Sequence, residues 1–160
     1  MIWLGVDPGK SGAFALVSNE GLLHVFDMPL TQVRYGNKTE HEICPHQLRD
    51  ELLSLQHEHG KIRVAVVEKV SSSPQMGVKS AFSFGEGFGG VKFMLAALCI
   101  PVEFVRPQTW KKYMGLDADK KASLALARAK WPAADHFTRA KDDGRAEASL
   151  LAEYGRRNGL

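Results

Sequence analysis

Apolar residues follow two rhythms along the chain. Ile2-Trp3-Leu4-Gly5-Val6 and Val64-Ala65-Val66-Val67 are unbroken apolar runs of strand length, and each stops at an acid, Asp7 or Glu68. Runs of this kind mark strands buried on both faces. Gly12 to Val17, Leu22 to Met28 and Val102 to Val105 read as further strands, and the short links Pro8-Gly9-Lys10-Ser11 and Asn19-Glu20-Gly21 join the first three into a meander. A helical period begins at Pro45, with Leu48, Leu52 and Leu55 on one side and Gly60 as the stop. Helices are also predicted from Ser80 to Cys99, from Thr109 to Met114, from Asp119 as cap to Trp131, and from about Asp142, with Ala146, Leu150, Leu151 and Tyr154 inward. Thr31 to Cys44 is polar and unpatterned, and reads as a mobile segment. The order predicts an α/β fold: a mixed five-stranded sheet, three strands in a meander and then two parallel ones, with helices on both faces.

Composition narrows this picture only slightly. With 160 residues and 44% hydrophobic content, the chain suits one core, so a single domain over 1–160 is expected. A net charge of +3 neither demands nor excludes a nucleic acid. Lysines and arginines near the acid-bearing segments and in the second half, among them Lys10, Lys69, Lys79, Lys92, Arg106, Lys111, Lys112, Lys120 and Lys121, are compatible with a basic face around an acidic centre, or with an ordinary solvated surface. Cys44 and Cys99 are the only cysteines, and Cys99 lies in the apolar run Leu95 to Ile100, where a small buried thiol is expected. No basic leader precedes the first strand and no apolar stretch approaches a membrane span of roughly 20 residues, which gives a cytoplasmic protein without membrane contact as the expectation.

The chemistry lies in the acids. Asp7 and Glu68 at the ends of buried strands would stand at the rim of a sheet, while Asp143 and Glu147, four apart, share one helix face. Hard divalent cations such as magnesium take oxygen ligands and keep positions open for water and phosphate. Four carboxylates in one pocket could hold two ions about 3.5 to 4 Å apart and drive an in-line phosphodiester displacement without a nucleophilic side chain. Taken alone, Asp143 reads better as a helix N-terminal acid, whereas Glu147, between Ala146 and Ala148, would be costly to bury without a cation. Glu68 leaves an ion pair with Lys69 or Arg63 open.

Gly5-Val6-Asp7-Pro8-Gly9, Val67-Glu68-Lys69-Val70 and Asp143-Gly144-Arg145-Ala146-Glu147-Ala148, with Gly90 to Ala96, Arg106 to Lys111 and Asp119-Lys120 between them, resemble the RuvC-type Holliday junction resolvases of the RNase H-like superfamily. The resemblance spans nearly the whole chain. It implies an RNase H-like endodeoxyribonuclease that binds two magnesium ions, with manganese as a substitute, and acts as a homodimer on four-way or other branched DNA. It also implies Asp7, Glu68, Asp143 and Glu147 as metal ligands, with Lys111 and Lys120 near the scissile phosphate. One departure concerns the third ligand. Bacterial members place the last two acids three apart, but position 144 is Gly here and Asp142 stands beside Asp143, so either aspartate is a candidate. The aromatic wedge that follows the second acid in the family is replaced by Ser71-Ser72-Ser73-Pro74-Gln75-Met76.

Other signals carry less. Gly9-Lys10-Ser11 lacks the Gly a P-loop needs five positions earlier, and Gly85-Glu86-Gly87-Phe88-Gly89-Gly90 has dinucleotide-binding spacing without a preceding strand. Each of those glycines costs a helix up to about 1 kcal/mol against Ala, so they imply close approach of another backbone, a second subunit or DNA, or else a loop. His41, Cys44 and His46 lack a second metal-spaced pair and read as surface residues. Trp110 beside Lys111 could stack on a base, although inward packing is the expectation. Two other functions remain: a non-catalytic branched-DNA-binding protein, and an ATP-binding protein of the actin and sugar-kinase type, for which the chain is short.

Overall fold

A computed structural model describes residues 1–117 and 119–160, with the side chain of Lys120 outside the description. Among the described residues the elements are β1 (Ile2–Asp7), β2 (Ala13–Ser18), β3 (Leu22–Asp27), β4 (Leu30–Tyr35), β5 (Lys38–Ile43), α1 (Pro45–His59), β6 (Ile62–Glu68), α2 (Val78–Ala97), β7 (Val102–Val105), α3 (Pro107–Tyr113), α4 (Lys120–Lys130) and α5 (Asp143–Arg157). Five strands form one mixed sheet in the order β3-β2-β1-β6-β7. β1 runs antiparallel to β2 and parallel to β6, and β6 is parallel to β7. The expected sheet of a meander followed by two parallel strands is present.

The apolar runs that end in acids are its two central strands, covered on both sides. On one face Ile2, Leu4 and Val6 pack with Ala65 and Val67 against Leu48, Leu52 and Leu55 of α1 and Val91 and Leu95 of α2. On the other, Trp3, Val64 and Val66 pack against Leu150, Leu151 and Ala152 of α5 and Trp110 of α3. Side chains alternate along a strand, so Asp7 follows Trp3 and Gly5 onto the α5 face, and Glu68 follows Val64 and Val66 onto the same face. Gly5 sets the distance of that helix. A Cβ there would overlap the carbonyl oxygen of Ala148, so α5 crosses β1 with backbone almost on backbone.

Two expectations fail. Thr31 to Cys44 contains a second sheet, the antiparallel ribbon β4–β5, paired from Leu30↔Ile43 to Tyr35↔Lys38. Its turn is Gly36-Asn37, with Gly36 at φ +59°, a left-handed conformation that costs glycine little. The ribbon meets the main core through Ile43 at its root and not along a whole face, which is why no hydrophobic alternation announced it. The glycine-rich stretch is helical throughout α2, in agreement with the helix predicted from Ser80 to Cys99 and not with its loop alternative. Cys99 is exposed, because the chain turns through a left-handed residue there (φ +53°) and buries Ile100 instead. No described helix is long and apolar enough to cross a membrane.

Candidate active site

The parallel register pairs Val6 with Val67, so Asp7 and Glu68 leave the sheet side by side at its carboxyl edge. The Asp7 carboxylate is wedged between the following turn and α5. Its Oδ1 accepts from the Gly9 backbone N–H at 3.4 Å, and its Oδ2 lies 3.3 Å from where a Cβ on Gly144 would be. That Cβ would also stand 2.6 Å from the carbonyl oxygen of Ser11. Position 144 therefore has no room for a side chain, which accounts for the absence of an acid three before Glu147.

The neighbouring aspartates are separated by their partners. Asp142 is 2% exposed and caps the chain ahead of α5. It accepts from the Arg139 backbone N–H at 2.7 Å and from the Arg139 Nε at 2.8 Å. Burial works to raise its pKa, but the Arg139 hydrogen bonds and charge outweigh burial and leave it below the usual aspartate value. Asp143 opens the first turn of α5, half-buried, on the same helix as Glu147.

Two residues of α3 grip the other acids. Trp110 is fully buried, as expected for packing, yet its indole Nε1 donates to Glu68 Oε1 at 2.9 Å. Lys111, next in sequence, places its Nζ 2.7 Å from Glu147 Oε1 and 5.3 Å from the centre of the Trp110 ring. Ser123 of α4, fully buried, adds a 3.4 Å hydrogen bond to the same Glu147 oxygen. Glu147 is itself only 6% exposed, so the ammonium supplies the cation its burial requires. Arg63, the other partner considered for Glu68, bonds the Leu160 carbonyl instead. The roles of Trp110 and Ser123 went unread in the sequence, although a buried indole always needs an acceptor.

These are hard oxygen donors, so the set suits a divalent cation in kind. In placement the protein's own donors hold Glu68 and Glu147, and no three His, Cys, Asp or Glu among the described residues are gathered as a metal group. A cation would have to draw Glu147 from Lys111. The Lys120 side chain, expected near the site, lies outside the described residues. The basic residues divide. Lys10, Lys79 and Arg156 serve internal partners, whereas Lys69 and Arg106 line a groove with Ser71, Phe84 and Gln108 next to Glu68. His41, Cys44 and His46 are not gathered as a metal group among the described residues.

No family model and no curated protein matches the chain. Solved structures do. Thermus thermophilus RuvC in complex with a Holliday junction substrate superposes with a TM-score of 0.64 at 17% identity, over 99% of this chain and 96% of that one. The fold is RuvC-like. A second Thermus thermophilus RuvC structure gives a TM-score of 0.60 at 16% identity, over 99% of this chain and 97% of that chain. The yeast mitochondrial Holliday junction resolvase Ydc2 gives 0.55 at 18% identity, over 97% of this chain and 77% of its own. The RuvC-like fold thus extends over the whole chain and includes both strand ends and the helix that carry the acids.

Proposed function

We propose that this protein is a structure-selective, metal-dependent endodeoxyribonuclease, one RNase H-like domain over 1–160 that resolves Holliday junctions or other branched DNA. The observation that carries the reading is Asp7 and Glu68 side by side at the ends of adjacent parallel strands, under a helix bearing Asp143 and Glu147, on a RuvC-like fold. These four are the proposed metal ligands. Asp143 is favoured over Asp142 as the third because it lies within α5 four positions before Glu147, on the same helix face, whereas Asp142 stands ahead of the helix.

Two magnesium ions, replaceable by manganese, would supply an activated water and charge neutralisation for phosphodiester hydrolysis. The chain's part is positioning. Trp110 fixes the carboxylate plane of Glu68, and the Asp7 carboxylate is aimed by the Gly9 amide. Lys111, released from Glu147, would face the scissile phosphate, and Lys120 is proposed for the same role. Lys69 and Arg106 in the adjoining groove suit backbone phosphates.

A homodimer belongs to this reading. Phe82 and Phe93 of α2 are 74% and 79% exposed, and Gly85 and Gly89 between them have no neighbour within 4 Å. A second copy of that helix would fill the space, and a two-fold dimer matches a junction's approximate two-fold symmetry. A cytoplasmic enzyme acting on DNA is the corresponding expectation.

A synthetic four-way junction incubated with magnesium tests the proposal. Asp7→Asn and Glu68→Gln should each lower the cleavage rate by at least about 100-fold while metal-free junction affinity is retained, since cations and not acids hold the DNA. Undiminished cleavage by both variants would overturn it. A second reading, a branched-DNA binder without catalysis, is favoured by the grip of Lys111 and Trp110 on Glu147 and Glu68. Wild-type protein that binds junctions but cuts none with magnesium or manganese would establish that reading instead.

A further inference from the structure

The β4–β5 ribbon meets the core through Ile43 at its root, and its two sides differ in chemistry. Directly paired residues of an antiparallel ribbon point to the same side. One side carries Thr31 with Glu42, Val33 with Glu40, and Tyr35 with Lys38. Toward the root this side is turned inward, while Tyr35 and Lys38 at the tip are exposed. Thr31, Val33 and Glu42 line a cavity closed by Ser83, Gly87 and Met94 of α2, and Glu40 pairs with Lys79 at 2.7 Å. Glu42 accepts from the Tyr35 hydroxyl at 2.6 Å. Both acids of the ribbon are thereby used within the protein.

The other side carries Leu30 with Ile43 at the root, where Ile43 packs on the core, and beyond it Gln32 with His41 and Arg34 with Thr39, all four exposed. It holds donors and acceptors but no acid. Gln32 and His41 stand 3.4 Å apart through their side-chain nitrogens, and Arg34 reaches the Gly36 carbonyl from its Nε at 3.0 Å, with Lys38 exposed at the same tip. A free two-stranded ribbon is marginally stable in water. This one is tied at its root by the Lys10 ammonium on the His41 carbonyl at 2.6 Å and by the Cys44 amide on the Pro29 carbonyl at 2.8 Å. Lys10 lies three residues after Asp7, so the root of the ribbon adjoins the candidate site.

We infer that the ribbon is a second DNA contact: its Gln32, Arg34, Thr39 and His41 side, with Lys38 at the tip, lies against the phosphates and groove of a duplex arm leaving the site. A two-stranded ribbon fits the major groove, and a side stripped of acids and tipped with Arg and Lys suits a polyanion. The inference rests on the proposed nuclease function for the identity of the DNA as an arm of a branched substrate. The ribbon governs affinity for the arm and leaves bond cleavage to the acids.

The test measures binding of a four-way junction and of a linear duplex at several salt concentrations, without metal, and cleavage at saturating junction with magnesium. The proteins are wild type, Arg34→Ala/Lys38→Ala, and Gln32→Ala/Thr39→Ala as a second variant that leaves the charge untouched. Removing two phosphate contacts should weaken binding about 10-fold and lower the slope of log affinity on log salt by about 1 to 2, with cleavage at saturation retained. Gln32→Ala/Thr39→Ala should weaken binding about 3-fold without changing the slope. Unchanged affinity and slope in both variants, with wild type cutting junctions, would overturn the ribbon contact and leave the nuclease reading standing. Wild type that cuts no branched DNA, with duplex affinity lost in the double Ala variant, would do the reverse. Wild type that binds neither DNA would overturn both.

Discussion

α5 and α2 are both rich in small residues, and they use them in opposite ways. In α5, Gly144, Ala146, Ala148, Ala152 and Gly155 are buried or nearly so, and a Cβ on Gly155 would stand 2.6 Å from the Val66 side chain. The helix lies directly on β1, which brings Glu147 within reach of Lys111 and the Gly144 backbone against Asp7. In α2, a Cβ on Gly85, Gly89 or Gly90 would meet nothing within 4 Å, and Phe82 and Phe93 of the same helix are exposed. In α5 the small residues mark close approach by the sheet, whereas in α2 Gly87 alone is approached, by the Ile43 side chain, and the other three glycines face open space.

The contrast predicts different costs for adding atoms. Gly5→Val should force α5 off β1, because the new side chain runs into the Ala148 and Ala152 backbone, and should destabilise by more than about 3 kcal/mol in urea unfolding. A loss under about 1 kcal/mol would mean that the helix is not seated as described.

A smaller effect comes from charge buried under α5. Burial works to raise the Glu153 pKa, but hydrogen bonds from Arg156, Lys130 and Arg157 lower it from 4.5 to about 2. A lowered carboxylate pKa stabilises the fold above the unfolded value, and that stabilisation is lost as pH falls from about 4.5 toward about 2. Glu153→Gln should therefore be less stable near neutral pH by on the order of 3 kcal/mol, with the gap to wild type narrowing through that window. A gap constant from pH 7 to 3 in chemical denaturation would assign Glu153 no such role. α2 buries no acid, and no equivalent pH dependence is expected from its open face.

The smallest effect sharpens the comparison most. Gly85→Ala and Gly89→Ala should each stabilise the dilute monomer by up to about 1 kcal/mol, since Ala is the better helix former and space is open. The same changes should weaken self-association if a second copy packs there, as seen by sedimentation over a concentration series. Stabilisation with unaltered association would place the dimer contact elsewhere.

Most of the sheet was legible in advance. The runs before Asp7 and Glu68 are apolar at every position, which only a strand covered on both faces tolerates, and Leu48, Leu52 and Leu55 keep helical period through α1. The ribbon was not, because Gln32, Arg34, Thr39 and His41 face solvent and its inner side meets a cavity, so polarity followed neither rhythm. Gly36-Asn37 was its one local sign.

For the candidate site, local sequence settled that Asp7 and Glu68 end strands and that Asp143 and Glu147 share a helix, because each depends on neighbours a few residues away. Folding alone decided that Trp110 reaches Glu68 across 42 positions, that Lys111 reaches Glu147 across 36, and that Gly144 can carry no side chain beside Asp7. Those relations arise where α3 and α5 meet the sheet, and a distance between elements is set by the packing of both, which no single stretch of chain encodes.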